Sequence, residues 1–258
     1  MIRGIFTAAS GLGVLQARMD VTSNNLANLS TNGYKQDRVE VAAFPDLMLQ
    51  ERVRVKVGGM GIGGWSSVGQ TNQGAVVTGV FTDHSTGILS ETGKETDLAL
   101  SGEGYFSFEP RGGEGKVLYS RDGELSINSE GYLVNSRGDR ILGDGGPVQV
   151  NGQSFTVSPG GVLTTADGTG VQLDMVEFQD KSRLVKEGNG YFSAPSGEGI
   201  AATRPGVTQK YLEKSNVDVT AEMVNMVEIA RAYEATQKLV QTQDELLGNA
   251  INQVGTVR

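Results

Sequence analysis

From Val219 to Val254 the chain repeats in steps of four and three. The positions are Val219, Met223, Met226, Ala230, Tyr233, Gln237, Val240, Asp244, Leu247, Ile251 and Val254, and only Gln237 and Asp244 interrupt their apolar or small character. That alternation is the heptad spacing of a helix-packing seam. Neither Pro nor Gly breaks the stretch before Gly248, Asp218 or Thr220 is placed to cap its start, and Glu228–Arg231 and Glu234–Lys238 stand at pairing distance on a helix surface. A helix of this length runs roughly 50 Å. Ile5, Ala8, Leu12, Leu15, Met19, Thr22, Leu26 and Leu29 step in the same way at the other end of the chain. They predict a second helix of roughly 40 Å. It is stopped by Ser30-Thr31-Asn32-Gly33, with Gly33 suited to a left-handed C-terminal cap.

Two long helices of matching pattern at opposite ends predict an antiparallel coiled-coil pair, residues 1–33 with 216–258. The interface is expected at Ile5, Leu12, Leu15, Met19 and Leu26 against Met223, Met226, Tyr233, Val240, Leu247 and Ile251. The competing reading packs both helices on the core of a globular domain. The seams are narrow, and isolated helices gain little from propensity. The termini are therefore expected to order against neighbouring copies of the chain.

Between the helices the pattern changes twice. Residues 34–80 read as an extended, glycine-rich arm: Val39–Val57 is mixed and partly extended, Gly58–Gly64 holds five glycines, and Trp65 stands at the centre as a contact anchor or a local packing residue. Residues 81–215 show short alternating runs: Leu98 with Leu100, Tyr105–Phe108, Val117–Tyr119, Leu125 with Ile127, Tyr132–Val134, Ile141–Leu142, Val148–Val150, Phe155–Val157, Val171–Phe178 and Tyr191–Phe192. Turn residues separate them, among them Arg111-Gly112-Gly113, Asp122-Gly123 and Asn128–Gly131. Strands at this spacing without helices predict a central antiparallel all-β domain, and the whole chain an α+β protein.

Composition narrows function. The chain has 258 residues, a net charge of −8, no cysteine and one histidine, His84. Its acidity argues against nucleic acid and against direct binding to anionic lipid. Disulfides, thiolate metal sites and multi-histidine metal sites are excluded, and no cofactor is expected. No apolar run reaches a membrane span, and glycines break the N-terminus too often for a cleaved signal peptide. Gly59-Met60-Gly61-Ile62-Gly63-Gly64 fits G-x-G-x-x-G but lacks the following helix that dinucleotide binding needs. His84, flanked by Asp83 and Ser85, reads as a solvated loop residue. Asp122, Glu124, Asp139 and Asp144 would be the candidates for paired-carboxylate glycan hydrolysis, the rival enzymatic reading, although acidic residues on β-turns are usually just solvated. A monomeric cap or chaperone-like binding module is a third reading.

Ser23-Asn24-Asn25-Leu26-Ala27-Asn28 with Thr31-Asn32-Gly33-Tyr34-Lys35 resembles the N-terminal signature of bacterial flagellar rod and hook proteins. Gly87–Leu89, Asp97–Leu100, Gly102–Phe106, Tyr119–Gly123, Gly131–Val134, Ser215–Asp218, Met223–Met226 and Arg231–Glu234 are similar to further motifs of that family, in family order. The resemblance implies a non-enzymatic structural subunit of the basal-body rod, or less simply of the hook, whose length suits the rod. It implies self-assembly into a helical polymer, contacts with other rod and hook subunits, and passage through the flagellar type III export apparatus without a cleaved signal. Asn24, Asn25, Asn28, Gly33 and Tyr34 carry the signature, and Phe44 with Met48 is similar to the family's export motif.

Overall fold

The computed structural model describes residues 2–45, 47–57, 60–72, 74–111, 116–194, 200–201 and 206–254. It has a helix near each end, α1 (Ile2–Ala27) and α2 (Val219–Val254), and an antiparallel β domain between them. The chain divides into two compact units. One gathers Met1–Ser23, Arg38–Phe81 and Met223–Arg258, and the other Asn24–Asp37 and Thr82–Glu222.

In the first unit the arm is more regular than its glycine content suggests. Four strands succeed one another: β1 (Asp37–Ala43), β2 (Leu47–Val57), β3 (Met60–Thr71) and β4 (Ala75–Thr82). The first and last pair with each other, while β2 and β3 form a hairpin with Leu47 opposite Thr71 and Val57 opposite Met60. Met60–Gly64, the tail of the G-x-G-x-x-G match, lies inside β3, so no helix N-terminus follows it. Gly58 and Gly59 fall outside the described residues, as does Asp46 between Phe44 and Met48. The arm is stapled to α1 at Ser10, whose Oγ accepts from the Ala75 N–H at 3.4 Å. Gly74 is needed there: its φ is +135°, and a Cβ would lie 2.1 Å from Ser10 Oγ.

The second unit holds the core. Strands β5 (Leu89–Glu91), β6 (Leu98–Leu100), β7 (Tyr105–Glu109), β8 (Leu118–Ser120), β9 (Leu125–Ile127), β10 (Leu133–Asn135) and β11 (Arg140–Gly143) follow in order. The principal sheet runs Val185–Gly188, Tyr191–Ser193, β8, β7, β11, β10, β9. Strand β7 is central and buried on both faces, which explains why Tyr105, Phe106 and Phe108 crowd into it, with only the small Ser107 between them. Phe106 and Phe108 join the main cluster with Leu133, Ile141 and Leu163, whereas Tyr105 packs with Phe178 and Phe192. Phe155–Val157, Val162–Thr165 and Gly170–Gln172 form a separate three-stranded sheet.

Two of the predicted strands differ. Val148 and Val150 are each 1 % exposed and bond through the backbone, Val148 N–H to Ile141 O at 3.0 Å, Leu133 N–H to Val148 O at 3.0 Å and Val150 N–H to Gly131 O at 2.8 Å, but the pairing is an isolated bridge, Tyr132 with Gln149, rather than a continuous strand. Val171–Phe178 is two strands, Gly170–Gln172 and Met175–Glu177, which pair in different sheets. Of the predicted turn Arg111-Gly112-Gly113, only Arg111 lies among the described residues.

Candidate functional site: the terminal helices and the polar junction at their roots

Helix α2 starts where Asp218 accepts the N–H groups of Thr220 and Ala221 at 2.8 and 3.2 Å, satisfying donors the first turn leaves free. Among its less exposed positions Glu222, Met226, Ile229, Tyr233, Thr236, Val240, Gln243, Leu247 and Ala250 form an unbroken 4–3 alternation, with Ala230 and Gly248 half-buried beside it. Met226, Tyr233, Val240 and Leu247 belong to the stripe read from sequence. At the alternate positions the covered face sits one residue earlier, except at Ile229–Ala230, where both are half-buried. Gln237 and Asp244 point to solvent, and Met223 and Ile251 are 53 % and 70 % exposed. A second, exposed stripe runs through Ala232, Ala235, Leu239, Thr242 and Leu246, also in steps of three and four, with Leu239 and Leu246 about half exposed.

In α1, Ile5, Leu12, Leu15, Met19 and Leu26 are half-buried, and Ala8, Val14 and Thr22 are buried. A Cβ placed on Gly4 would stand 2.8 Å from Gln243 Oε1, which puts the start of α1 beside the last third of α2. Helix α1 ends at Ala27, so Leu29 lies in the following turns, where Asn28 and Thr31 donate backward to Asn24 and Asn28 oxygens at 3.1 Å. Gly33 does adopt a left-handed φ of +67°, but beyond those turns rather than as a helix cap. Its N–H donates to Glu213 O at 2.8 Å, and a Cβ there would come within 2.6 Å of the Arg121 and Asp122 backbone.

The signature residues converge on this turn. Asn25 is 1 % exposed and bridges Asp37 like a strand neighbour, accepting the Asp37 N–H at 2.9 Å and donating to Asp37 O at 2.8 Å. The Tyr34 hydroxyl donates to Asn24 Oδ1 at 2.8 Å and lies 3.1 Å from Asn25 Oδ1; burial and the nearby Asp37 and Glu222 carboxylates raise its pKa. Asn25 Nδ2 also reaches Glu222 Oε1 at 3.5 Å, and Gln36 Nε2 donates to that same oxygen. Asn216 Oδ1 accepts the Gln36 N–H at 2.8 Å, and its Nδ2 donates to Asp83 O at 2.9 Å. The residues leaving α1 and those entering α2 are thus tied together.

Sequence reasoning missed the group beneath. Glu213 holds Lys35 Nζ at 2.6 Å and Arg121 Nη1 at 3.1 Å, all three closed to solvent. Lys35 also donates to Ser85 O at 2.7 Å, Arg121 Nη2 to Gly102 O at 2.5 Å, and the Gly87 N–H to Glu213 Oε1 at 2.8 Å. Burial holds the Lys35 ammonium pKa below its ordinary value, against the opposing pull of the Glu213 carboxylate. The only sequence signal was position: Lys35 and Arg121 stand inside signature stretches, Glu213 just before the one at Ser215. His84 is not the solvated loop residue expected. Its Nδ1 lies 2.7 Å from the Tyr105 hydroxyl, its ring packs edge-on to Phe192, and burial lowers its pKa to about 4.

The carboxylates of the hydrolytic reading do not form a pair. Asp122 Oδ1 accepts the Glu124 N–H at 3.1 Å, Asp139 accepts the Arg111 N–H at 2.9 Å and the Tyr191 hydroxyl, and Asp144 is exposed on its turn. A cleft of about 310 Å³ is lined instead by Glu109, Arg111, Asn128, Glu130 and Arg140, where Arg140 is already paired with Glu130 at 2.7 Å. Among the described residues, no group of His, Cys, Asp or Glu side chains is placed to hold a metal, and no helix is long and apolar enough to cross a membrane. Phe44 and Met48 are 40 % and 60 % exposed, and the side chain of Trp65 lies outside the described residues.

Comparison with known proteins agrees along the whole chain. Residues 5–35 match the family described as Flagella basal body rod protein, residues 99–165 the Flagellar hook protein FlgE/F/G D1 domain, and residues 208–253 the Flagellar basal body rod FlgEFG protein C-terminal family. The flagellar basal-body rod protein FlgG of Bacillus subtilis is 32 % identical, covering 98 % of this chain and 99 % of its own length. The flagellar hook-basal body complex protein FlhO of the same organism is 31 % identical, with 100 % of both chains covered. The rod protein FlgF of Caulobacter vibrioides is 29 % identical over 100 % of both.

Proposed function

We propose that this chain, which belongs to the flagellar basal-body rod protein family, assembles through α1 and α2 paired as an antiparallel coiled coil. It is a structural subunit of the rod and resides in the flagellar basal body. Two approaches support the antiparallel pairing: Gly4 beside Gln243 at one end, and Asn25 beside Glu222 at the other.

One observation carries the assembly step. Helix α2 has two heptad stripes, one covered within the chain and one, through Leu239 and Leu246, open to solvent. A helix that satisfies one seam internally and leaves a second uncovered has a face for a neighbouring copy. Head-to-tail use of such unlike faces builds an open filament. Met223 and Ile251 are exposed on the far side of the covered stripe and offer neighbours a separate contact. The chain acts mechanically and is not an enzyme. No observation favours the hydrolytic reading, and the whole-length rod relatives favour a rod over a hook subunit. Other rod and hook subunits meet its ends, and the export apparatus takes it up through the exposed side chains of Phe44 and Met48.

The test is a double substitution, Leu239→Lys with Leu246→Lys, in the full chain. Filaments should be lost while unfolding of the monomer stays unchanged; filaments of normal length from this variant would refute the role.

A further inference from the structure

The charge of the chain is divided unequally between its two units. The unit of helices and arm carries nine Lys or Arg against eight Asp or Glu, a net of +1. The β unit carries thirteen against twenty-two, a net of −9, and so accounts for the whole excess of −8. The arm even inverts the sign locally, with Arg52, Arg54 and Lys56 in β2 against Glu51. One unit is therefore electrostatically free to pack against copies of itself, and the other is not.

We propose that the β unit is an electrostatic gate on self-association: copies joined through their near-neutral helices gather a charge of −9 per copy into one polymer, so assembly waits for screening cations. The inference rests on the assembly reading above, and adds which part opposes assembly and what relieves it. The physics is that of like fields in water. Repulsion between exposed charges acts over about 30 Å in 0.01 M salt and about 8 Å in 0.15 M. Net charge far from zero keeps a protein monomeric. The ionic junction does not contribute, because Lys35, Arg121 and Glu213 are closed to solvent and paired. The field comes from surface carboxylates such as Glu91, Glu95 and Asp144, which are exposed on turns and a strand end.

The experiment is sedimentation of the full-length chain over a concentration series at two NaCl levels. It is repeated with Glu91→Lys, Glu95→Lys and Asp144→Lys combined, a variant whose fold is checked by circular dichroism. Going from about 20 mM to about 150 mM salt should lower the wild-type threshold for assembly about tenfold or more. The triple variant should assemble at low salt near the wild-type high-salt threshold, with its salt dependence at least roughly halved. Wild-type assembly that is flat in salt or weakens with it, or a folded triple variant with unaltered salt dependence, overturns the gate while leaving helix-driven assembly standing. A wild-type chain that remains monomeric at every salt level overturns the assembly reading, and the gate with it.

Discussion

Glu213 and Arg121 meet at 3.1 Å with both side chains closed to solvent, and Lys35 completes the group from the opposite end of the sequence. Buried charges of this kind are neutral to stability when complete and costly when broken. Glu213→Gln strands two cations and should lower unfolding free energy by about 3–5 kcal/mol. Urea unfolding of the full chain measures it. A loss within about 0.5 kcal/mol, typical of surface substitutions, would mean the group is not buried in solution.

Gly33 and Asn25 test the turn above that group. Gly33→Ala adds a Cβ against the Arg121 backbone at a φ of +67°, where neither neighbour is the end of a flexible side chain. It should cost more than about 2 kcal/mol. Asn25→Asp keeps the acceptor for the Asp37 N–H but removes the donor to Asp37 O and sets a charge beside Glu222. It should be worse than Asn25→Ser, read by thermal unfolding; the reverse order would contradict the bridging role.

His84 and Asp122 give stability a pH dependence of opposite signs. Burial holds His84 at about 4, below its ordinary 6.5, so the unfolded chain binds a proton that the folded chain refuses. That contribution is complete above pH 6.5 and is lost as pH falls toward 4. Burial lifts Asp122 from 3.8 to about 6, so its contribution is complete below 3.8 and is lost as pH rises through 6. Between about pH 4 and 6 the two offset each other. Relative to wild type, stability should climb more steeply with pH in Asp122→Asn and less steeply in His84→Gln. Three parallel urea-midpoint profiles would contradict both assignments.

What was legible in the sequence follows from which physical rule dominates at each place. The helices, their lengths and their heptad spacing were readable because covered positions repeat along an uninterrupted chain. The choice of alternate stripe was not. Met226, Tyr233, Val240 and Leu247 fit either face, and the tie falls between polar pairs, Thr236 against Gln237 and Gln243 against Asp244. The doubly buried β7 announced itself as an aromatic run. The Lys35–Glu213–Arg121 group did not, since charged residues far apart in sequence ordinarily read as surface. His84 was misplaced for the related reason that Tyr105 and Phe192, its neighbours in space, are distant along the chain.

The central claim is that assembly resides in the terminal helices, and a shortened chain tests it most directly. The cut belongs after Glu222, because Asn216 and Glu222 bond within the β unit and an earlier cut would damage it. Electron microscopy of the purified full-length chain beside residues 1–222 should show filaments from the first and dispersed monomers from the second, with the near-ultraviolet dichroism of the β unit retained. Filaments from the shortened chain would contradict the account.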